Sequence, residues 1–368
     1  MSKRKIAHLT FDMRFGGTEQ VISNLVQNTN LEKYDVSILC LSEPIGPFGL
    51  QLIKQGIKIH AFNRQPGFDT TLIRDIRKYI CENRIDILHC HQYTPYVYGV
   101  FAALRTPVKV LYTEHGRFYP DQQKLKRVFI NPLLNFFTDK ITSISAATRK
   151  ALVNYENFPE NQIQVVYNGI DDSRFIRPAN GTLRESLNIP PHAAILGTVA
   201  RLDSIKNHPM MIKALKIVQS KFPETVLIIV GDGPERQRLD DLINELDLSE
   251  KVIITGFRKD TEAFYQIMDI FLLTSFSEGT AMTLLEAMAT SRPCIVTQVG
   301  GNPEIVLENQ TGFVIPSDDD EALAQKIIHL IENRELKIRF GANGRKRFER
   351  CFTVNQMVNA YQAIYETL

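Results

Sequence analysis

Three observations in the sequence predict an α/β protein built from two doubly wound, parallel-sheet domains. At 368 residues the chain exceeds what one ordinary core supports, and two domains of roughly 170 to 190 residues are the natural division. Short apolar, β-branched runs alternate with helix-length amphipathic stretches from end to end. These runs are nearly continuous in apolar residues, as strands buried on both faces of a parallel sheet require.

The first series of strands is expected at 6–11, 36–41, 57–62, 87–91, 108–113, 140–145 and 164–167. The second is expected at 194–200, 225–230, 251–255, 270–274, 294–297 and 312–315. Asp, Pro, Asn and Gly accumulate over 171–193, which places the boundary there. The predicted division is 1–175, 176–353, and a C-terminal amphipathic helix over 354–368 that packs back toward the first domain.

With 44% apolar and 23% charged residues, the composition is that of a globular protein. No apolar run approaches the roughly 20 residues of a membrane span. The opening MSKRKIAHLTF is basic, but its apolar run reads as a strand, too short for a signal peptide. Cys40, Cys81, Cys90, Cys294 and Cys351 are odd in number and form no CxxC pair. A reduced, cytoplasmic protein without a structural zinc is expected. Residues 1–185 carry 24 Lys and Arg against 17 Asp and Glu, whereas the remainder carries 19 against 24. A basic half beside an acidic half fits a first domain that meets something anionic, or a surface imbalance without meaning.

Three stretches carry chemistry. In TSFSEGTAMTLLEAM a strand ends near Thr274, and a loop holds Glu278 and Gly279. A helix runs from about Thr280 to Thr290, with Thr280 as its N-cap. Its free N–H groups and dipole favour an anion, so a nucleotide diphosphate fits there with Glu278 and Glu286 at its two ends. An ordinary αβ unit with two exposed glutamates fits the same letters. In VARLDSIKNHPMMIKAL a strand delivers Arg201 to its C-terminal end, with Lys206 five residues on at the approach to a helix over 210–218. Such cations neutralise a diphosphate without metal, or are merely solvated. In TFDMRFGGTEQ the Gly16-Gly17 turn lets backbone approach phosphate closely. The GxGxxG fingerprint is absent; VGDGPER at 230–236 lacks the third glycine, which argues against a dehydrogenase.

Together these pieces resemble the family 4 glycosyltransferases of GT-B fold, in family order and over nearly the whole chain. The matching strings are FGGTEQ, ILHCH, TEHG, ITSISAAT, VVYNGID, VARLDSIKNH, LIIVGDGPER, VIITGF, SEGTAMTLLEAM, VGGNPEIV and TGFVIP. The resemblance implies two Rossmann-like domains facing each other across a cleft, and transfer of a hexose from a UDP- or GDP-sugar with retention of configuration. The acceptor is expected to be a glycan or lipid-linked hydroxyl, in cell-surface polysaccharide assembly. Glu278 and His115 are implied at the transferred sugar, Glu286 at the ribose, and Arg201 and Lys206 at the diphosphate. Gly16 and Gly17 are implied along the phosphate from the other domain, and Gly256, Phe257 and Arg258 near the base. Backbone N–H groups of Gly279, Thr280, Ala281 and Met282 complete the implied donor site. No cofactor and no metal are expected. Where the family often has Leu or Phe followed by Pro, this chain has Thr280-Ala281, which leaves the donor sugar open. An epimerase or hydrolase acting on a nucleotide sugar, or a non-catalytic binding subunit, are the other readings.

His89 and His91 share a strand face, and strand alternation rather than a metal accounts for them. Asp318–Asp320 reads as the N-terminus of a helix over 321–331. The stretch 122–140 joins Lys124, Lys126 and Arg127 to apolar residues. It suits peripheral contact with an anionic membrane, or a core-facing helix with a solvated basic face.

Overall fold

A computed structural model describes residues 3–14, 16–116, 122–176 and 182–368. It divides into two compact units, Met1–Gly169 with Val354–Leu368, and Ile170–Thr353.

The first unit holds a seven-stranded sheet. Its strands are β1 (Arg4–Thr10), β2 (Tyr34–Cys40), β3 (Lys58–Ala61), β4 (Ile87–His91), β5 (Lys109–Glu114), β6 (Lys140–Ser143) and β7 (Ile163–Val165). Their order is β3-β2-β1-β4-β5-β6-β7, and every pair is parallel. The second holds β8 (Ile195–Val199), β9 (Val226–Val230), β10 (Val252–Ile254), β11 (Ile270–Leu273), β12 (Cys294–Thr297) and β13 (Gly312–Ile315). Their order is β10-β9-β8-β11-β12-β13, again all parallel. Each expected strand is present, displaced by at most two residues at its start. The central strands β4, β8, β9 and β11 are buried along their whole length, because helices cover both faces.

Strand order reverses between β1 and β4, and again between β8 and β11. Open α/β sheets bind ligands beyond the carboxyl ends of the strands at such switch points. The sequence places Gly16 and Gly17 after β1, Arg201 and Lys206 after β8, and Glu278 after β11.

The helix Val354–Thr367 belongs to the first unit and buries Val354, Met357, Val358, Tyr361, Ile364 and Tyr365 there. The division between units falls at Gly169 and Ile170 rather than at 175 and 176. The Asp-rich segment after it is packed, not a linker. Ile170 bridges to Thr353, and its N–H donates to the Phe352 carbonyl at 3.1 Å. Arg345 pairs with Asp172 at 2.6 Å, and Phe175 packs edge-on against Tyr265. Of the expected boundary over 171–193, residues 177–181 lie outside the described residues, and Thr182–Ser186 form a short helix.

Candidate functional site

The second unit builds its site from the turns that leave β8 and β11. Asp203 accepts the Ile205 N–H at 3.1 Å, which starts a short 3-10 turn over Ser204–Lys206. Asn207, in the left-handed region at φ 47°, ends that turn and leads into the helix His208–Gln219. From β11's end, the Thr274 hydroxyl donates to the carbonyls of Lys206 and Asn207 at 3.1 and 2.9 Å. The Phe276 N–H donates to Ile205 at 2.8 Å. The two turns are therefore stitched together, and their side chains meet. Lys206 Nζ donates to Glu278 Oε1 at 2.6 Å, and the Ser275 hydroxyl donates to the same oxygen at 2.6 Å. Only 25% of the Lys206 side chain and 9% of Glu278 reach solvent. Lys206 is thus a half-buried, paired cation rather than the freely exposed loop residue its surroundings in sequence suggest.

Glycines hold both turns in place. Gly300 has φ +48°, and a Cβ there would collide with the Glu278 carbonyl oxygen. The Gly301 N–H donates to that oxygen at 3.3 Å. VGDGPER has a comparable task, since a Cβ on Gly231 would strike the Ala200 carbonyl beside Arg201. Arg201 itself is largely exposed and pairs with Asp203.

Thr280 does not cap the next helix. The helix spans Met282–Ala289, and Ala281 occupies its N-cap without a side-chain hydrogen bond. Its first N–H groups lack the intrahelical partners that later turns provide. Gly279 and Thr280 form a bend that leads through Ala281 into it, half-buried at Gly279 and buried at Thr280 and Ala281. Glu286 lies on the second turn, where the Tyr265 hydroxyl donates to Oε2 at 2.8 Å and Arg174 approaches Oε1 at 3.5 Å. Burial raises the Glu286 pKa, which Tyr265 and Arg174 oppose. Near the expected base position, Gly256 bridges to Gly231, and Phe257 is exposed. Arg258 makes a double hydrogen bond to Asp260 at 2.9 and 2.6 Å.

In the first unit, Gly16 caps the helix Gly17–Asn28 in extended conformation, and no neighbour crowds Gly17. A side chain on Gly16 would run into the Glu19 carboxylate. Burial, opposed by a backbone hydrogen bond and aided by Asp12, raises Glu19 to about 7. Gln92, after β4, donates to the Thr18 hydroxyl at 3.1 Å. His115 follows β5, with Nε2 2.8 Å from His91 Nδ1, and burial lowers its pKa to about 3. His8, His89 and His91 each offer a ring nitrogen within 4.8 Å of the others. Both nitrogens of His89 are already engaged, by Tyr365 at 2.8 Å and Thr113 at 2.7 Å. Asp319 caps the helix Asp320–Glu332 by accepting the Ala322 N–H at 2.8 Å.

The fold thus brings together Lys206 and Glu278, which the sequence singled out, and adds Ser275, Tyr265, Arg174 and His8, which it did not. Ser275 stands three residues before Glu278 and was legible as a loop hydroxyl. The other three come from remote elements, and no spacing announces them.

Two parallel-sheet α/β units of seven and six strands define a GT-B fold. Solved structures agree. Anabaena Alr3699/HepE in complex with UDP aligns at TM-score 0.89 and 22% identity, over 99% of this chain and 100% of that one. A glycosyltransferase from Rickettsia africae ESF-5 aligns at 0.88 and 22%, over 100% and 99%. Residues 15–174 match the Glycosyltransferase Family 4 model, and 180–347 match Glycosyl transferases group 1. EpsD of Bacillus subtilis (strain 168), named as a candidate glycosyltransferase, is 31% identical over 82% of this chain and 83% of its own length. An Escherichia coli protein named UDP-Gal:alpha-D-GlcNAc-diphosphoundecaprenol alpha-1,3-galactosyltransferase is 24% identical over 99% and 97%. The chain belongs to glycosyltransferase family 4.

Proposed function

We propose that the protein transfers a hexose, with retention of configuration, from a UDP- or GDP-sugar to a hydroxyl of a glycan or lipid-linked acceptor, in cell-surface polysaccharide assembly. The observation that carries this reading is the Lys206–Glu278 pair at the switch point of the second sheet. The names of the relatives favour UDP, since HepE is described with UDP-glucose and the E. coli relative with UDP-Gal.

Breaking the anomeric C–O bond develops oxocarbenium character on the sugar and negative charge on the departing diphosphate. An ammonium has three donors. With one N–H of Lys206 on Glu278, two serve phosphate oxygens. Arg201 and the free N–H groups at Ala281–Met282 add to that stabilisation. Glu278, oriented by Lys206 and Ser275, accepts a hydroxyl of the sugar. Glu286, oriented by Tyr265, accepts the ribose hydroxyls, and Gly256, Phe257 and Arg258 meet the base. Gly16 and Gly17 serve the phosphate and His115 the sugar. The acceptor hydroxyl attacks the face the diphosphate leaves, passing its proton to the leaving phosphate.

Because fixed cations and a helix terminus serve the diphosphate, transfer survives EDTA. More than about a ten-fold loss on chelation, restored by Mg²⁺ or Mn²⁺, refutes that part. A thermal-shift panel of UDP, GDP and ADP and their sugars identifies the base, since a ligand at 100-fold its Kd stabilises by about 2.7 kcal/mol. Release of free sugar or an epimer from donor alone, without need of acceptor, overturns the transferase reading.

The acceptor side is assigned to the first unit and to peripheral contact with an anionic bilayer. The helix Leu125–Phe136 turns Leu125, Phe129, Leu133 and Phe136 outward, with Phe129 and Phe136 each 79% exposed. Spacings of four, four and three place them on one helix face. Lys124 and Lys126 are exposed at its start. Only Asn131 and Leu134 of this helix are buried, which argues against a helix that merely covers the sheet. Among the described residues, no helix is long and apolar enough to cross a membrane.

A further inference from the structure

A buried row of imidazoles runs along one face of the first sheet. His8 on β1 stands in register with His89 on β4, and His91 projects from the same face two residues on. His8 Nδ1 lies 3.0 Å from His91 Nε2, and His91 Nδ1 lies 2.8 Å from His115 Nε2. Burial keeps these rings neutral, holding His8 and His115 at about 3. Each ring-to-ring contact needs one N–H and one lone pair, so the three tautomers are locked together.

The neutral row has two arrangements. In one, every proton sits on Nδ1: His8 donates to His91, His91 donates to His115, and His115 keeps an Nδ1–H. In the other, every proton sits on Nε2, the direction reverses, and His8 keeps an Nε2–H. Neither His115 Nδ1 nor His8 Nε2 has a partner among the described residues. The arrangements therefore differ in which end holds the unpaired N–H. A buried N–H without an acceptor costs more than a bare lone pair. Both of these nitrogens are buried, but His8 is wholly enclosed in the sheet, whereas His115 is a half-buried residue at the carboxyl end of β5, the edge at which a ligand oxygen can approach as acceptor. The first arrangement is favoured. His89 stays outside the relay, its two nitrogens held by Tyr365 and Thr113, and joining a metal would cost it a hydroxyl partner.

We propose that His8 and His91 act as positioning residues that fix His115 as its Nδ1–H tautomer, so that His115 donates a hydrogen bond to an oxygen of the sugar nucleotide. The ligand in this statement rests on the reading of His115 as a sugar contact; the tautomer does not.

Long-range proton–nitrogen correlation of protein labelled with ¹⁵N in histidine reads the tautomer directly, with His115 assigned by its loss in His115→Gln. Nδ1 protonation is expected at His8, His91 and His115. His91→Phe releases His115 from that state and lowers kcat by about ten-fold with donor KM nearly unchanged, the effect of one misdirected hydrogen bond. His91→Gln accepts from His8 and donates to His115, so it retains both the tautomer and most of the turnover. If His91→Phe does not fold, His8→Phe at the far end of the row supplies the same readout. An Nε2–H on His115 in the wild type, an unchanged tautomer in the Phe variant, or a stoichiometric bound zinc overturns the proposal. Full turnover in His115→Ala, with the expected tautomer in the wild type, removes the sugar contact alone.

Discussion

Lys206 donates to Glu278 at 2.6 Å across 72 residues of sequence, and the Ser275 hydroxyl shares the same carboxylate oxygen. The pair couples two roles that the sequence suggests separately, a cation for phosphate and a carboxylate for sugar.

Substitution on either side of that pair has distinct outcomes. Glu278→Gln keeps the shape but loses the charge, and transfer slows by about 100-fold while nucleoside diphosphate still binds. Lys206→Ala slows transfer by roughly 30- to 1000-fold. It also leaves a nearly buried carboxylate with one fewer partner, so it lowers stability by about 1–3 kcal/mol. Steady-state kinetics beside thermal melts check both. Normal turnover in Lys206→Ala removes the residue from the site.

Glu286 behaves differently, because ribose is common to donor and free nucleotide. Glu286→Ala weakens both by calorimetric titration. Tyr265→Phe removes the hydroxyl that orients Glu286 and weakens both by about two- to ten-fold. An effect on donor alone would reassign Glu286 to the sugar.

Acid should unfold the first unit through its histidines. His8 and His115 are depressed to about 3 from 6.5, and burial with neighbouring histidines holds His89 and His91 well below 6.5. The unfolded chain takes up protons at all four below about 6.5, whereas in the folded protein His8 and His115 do not until about 3, and His89 and His91 also stay neutral well below 6.5. Stability is therefore unaffected above 6.5 and falls as pH drops through that window. At pH 5 the loss is on the order of 2 kcal/mol for each of His8 and His115. Urea midpoints at pH 7.5 and 5.5 check this, and His8→Phe flattens the slope. A midpoint indifferent to pH across the window contradicts it.

Membrane contact is testable with residues that carry no other duty. Arg127 is unsuitable, because it pairs with buried Glu156 at 2.6 Å and lies 3.8 Å over the Tyr93 ring. Lys124→Glu with Lys126→Glu weakens sedimentation with anionic liposomes, each lysine contributing about 1 kcal/mol near the surface. Phe129→Ser with Phe136→Ser weakens it further and slows transfer to a lipid-bound acceptor, while donor affinity is unchanged. Wild-type protein that ignores anionic liposomes at low salt makes the acceptor a soluble one.

The strands were legible because each is a short apolar run between turn residues, a local signal. That Lys206 and Glu278 lie close together was legible because both follow the C-terminal ends of neighbouring strands, β8 and β11. Tyr265 and Arg174 were not, since only the folding of the chain brings them to Glu286. The compact units divide at 169/170 rather than at 175/176, because Asp171, Asp172 and Ser173 resemble a linker in sequence while Asp172 and Phe175 are anchored by Arg345 and Tyr265. His8 passed unnoticed because its partners lie on other strands, 83 residues away in the case of His91.

The helix Val354–Thr367 completes the first unit with Tyr361 and Tyr365, yet it is encoded after the whole of the second. Translation therefore delivers the parts out of step with the architecture. The seven strands of the first sheet leave the ribosome early, but the ring that holds His89 in place arrives only with the final turns. At roughly 5–20 residues per second, the intervening stretch takes on the order of ten to forty seconds to synthesise. The second unit, contiguous from Ile170 to Thr353, is free to fold during that interval. The half of the protein made first is the half completed last, since His89 Nδ1 gains its Tyr365 partner only then.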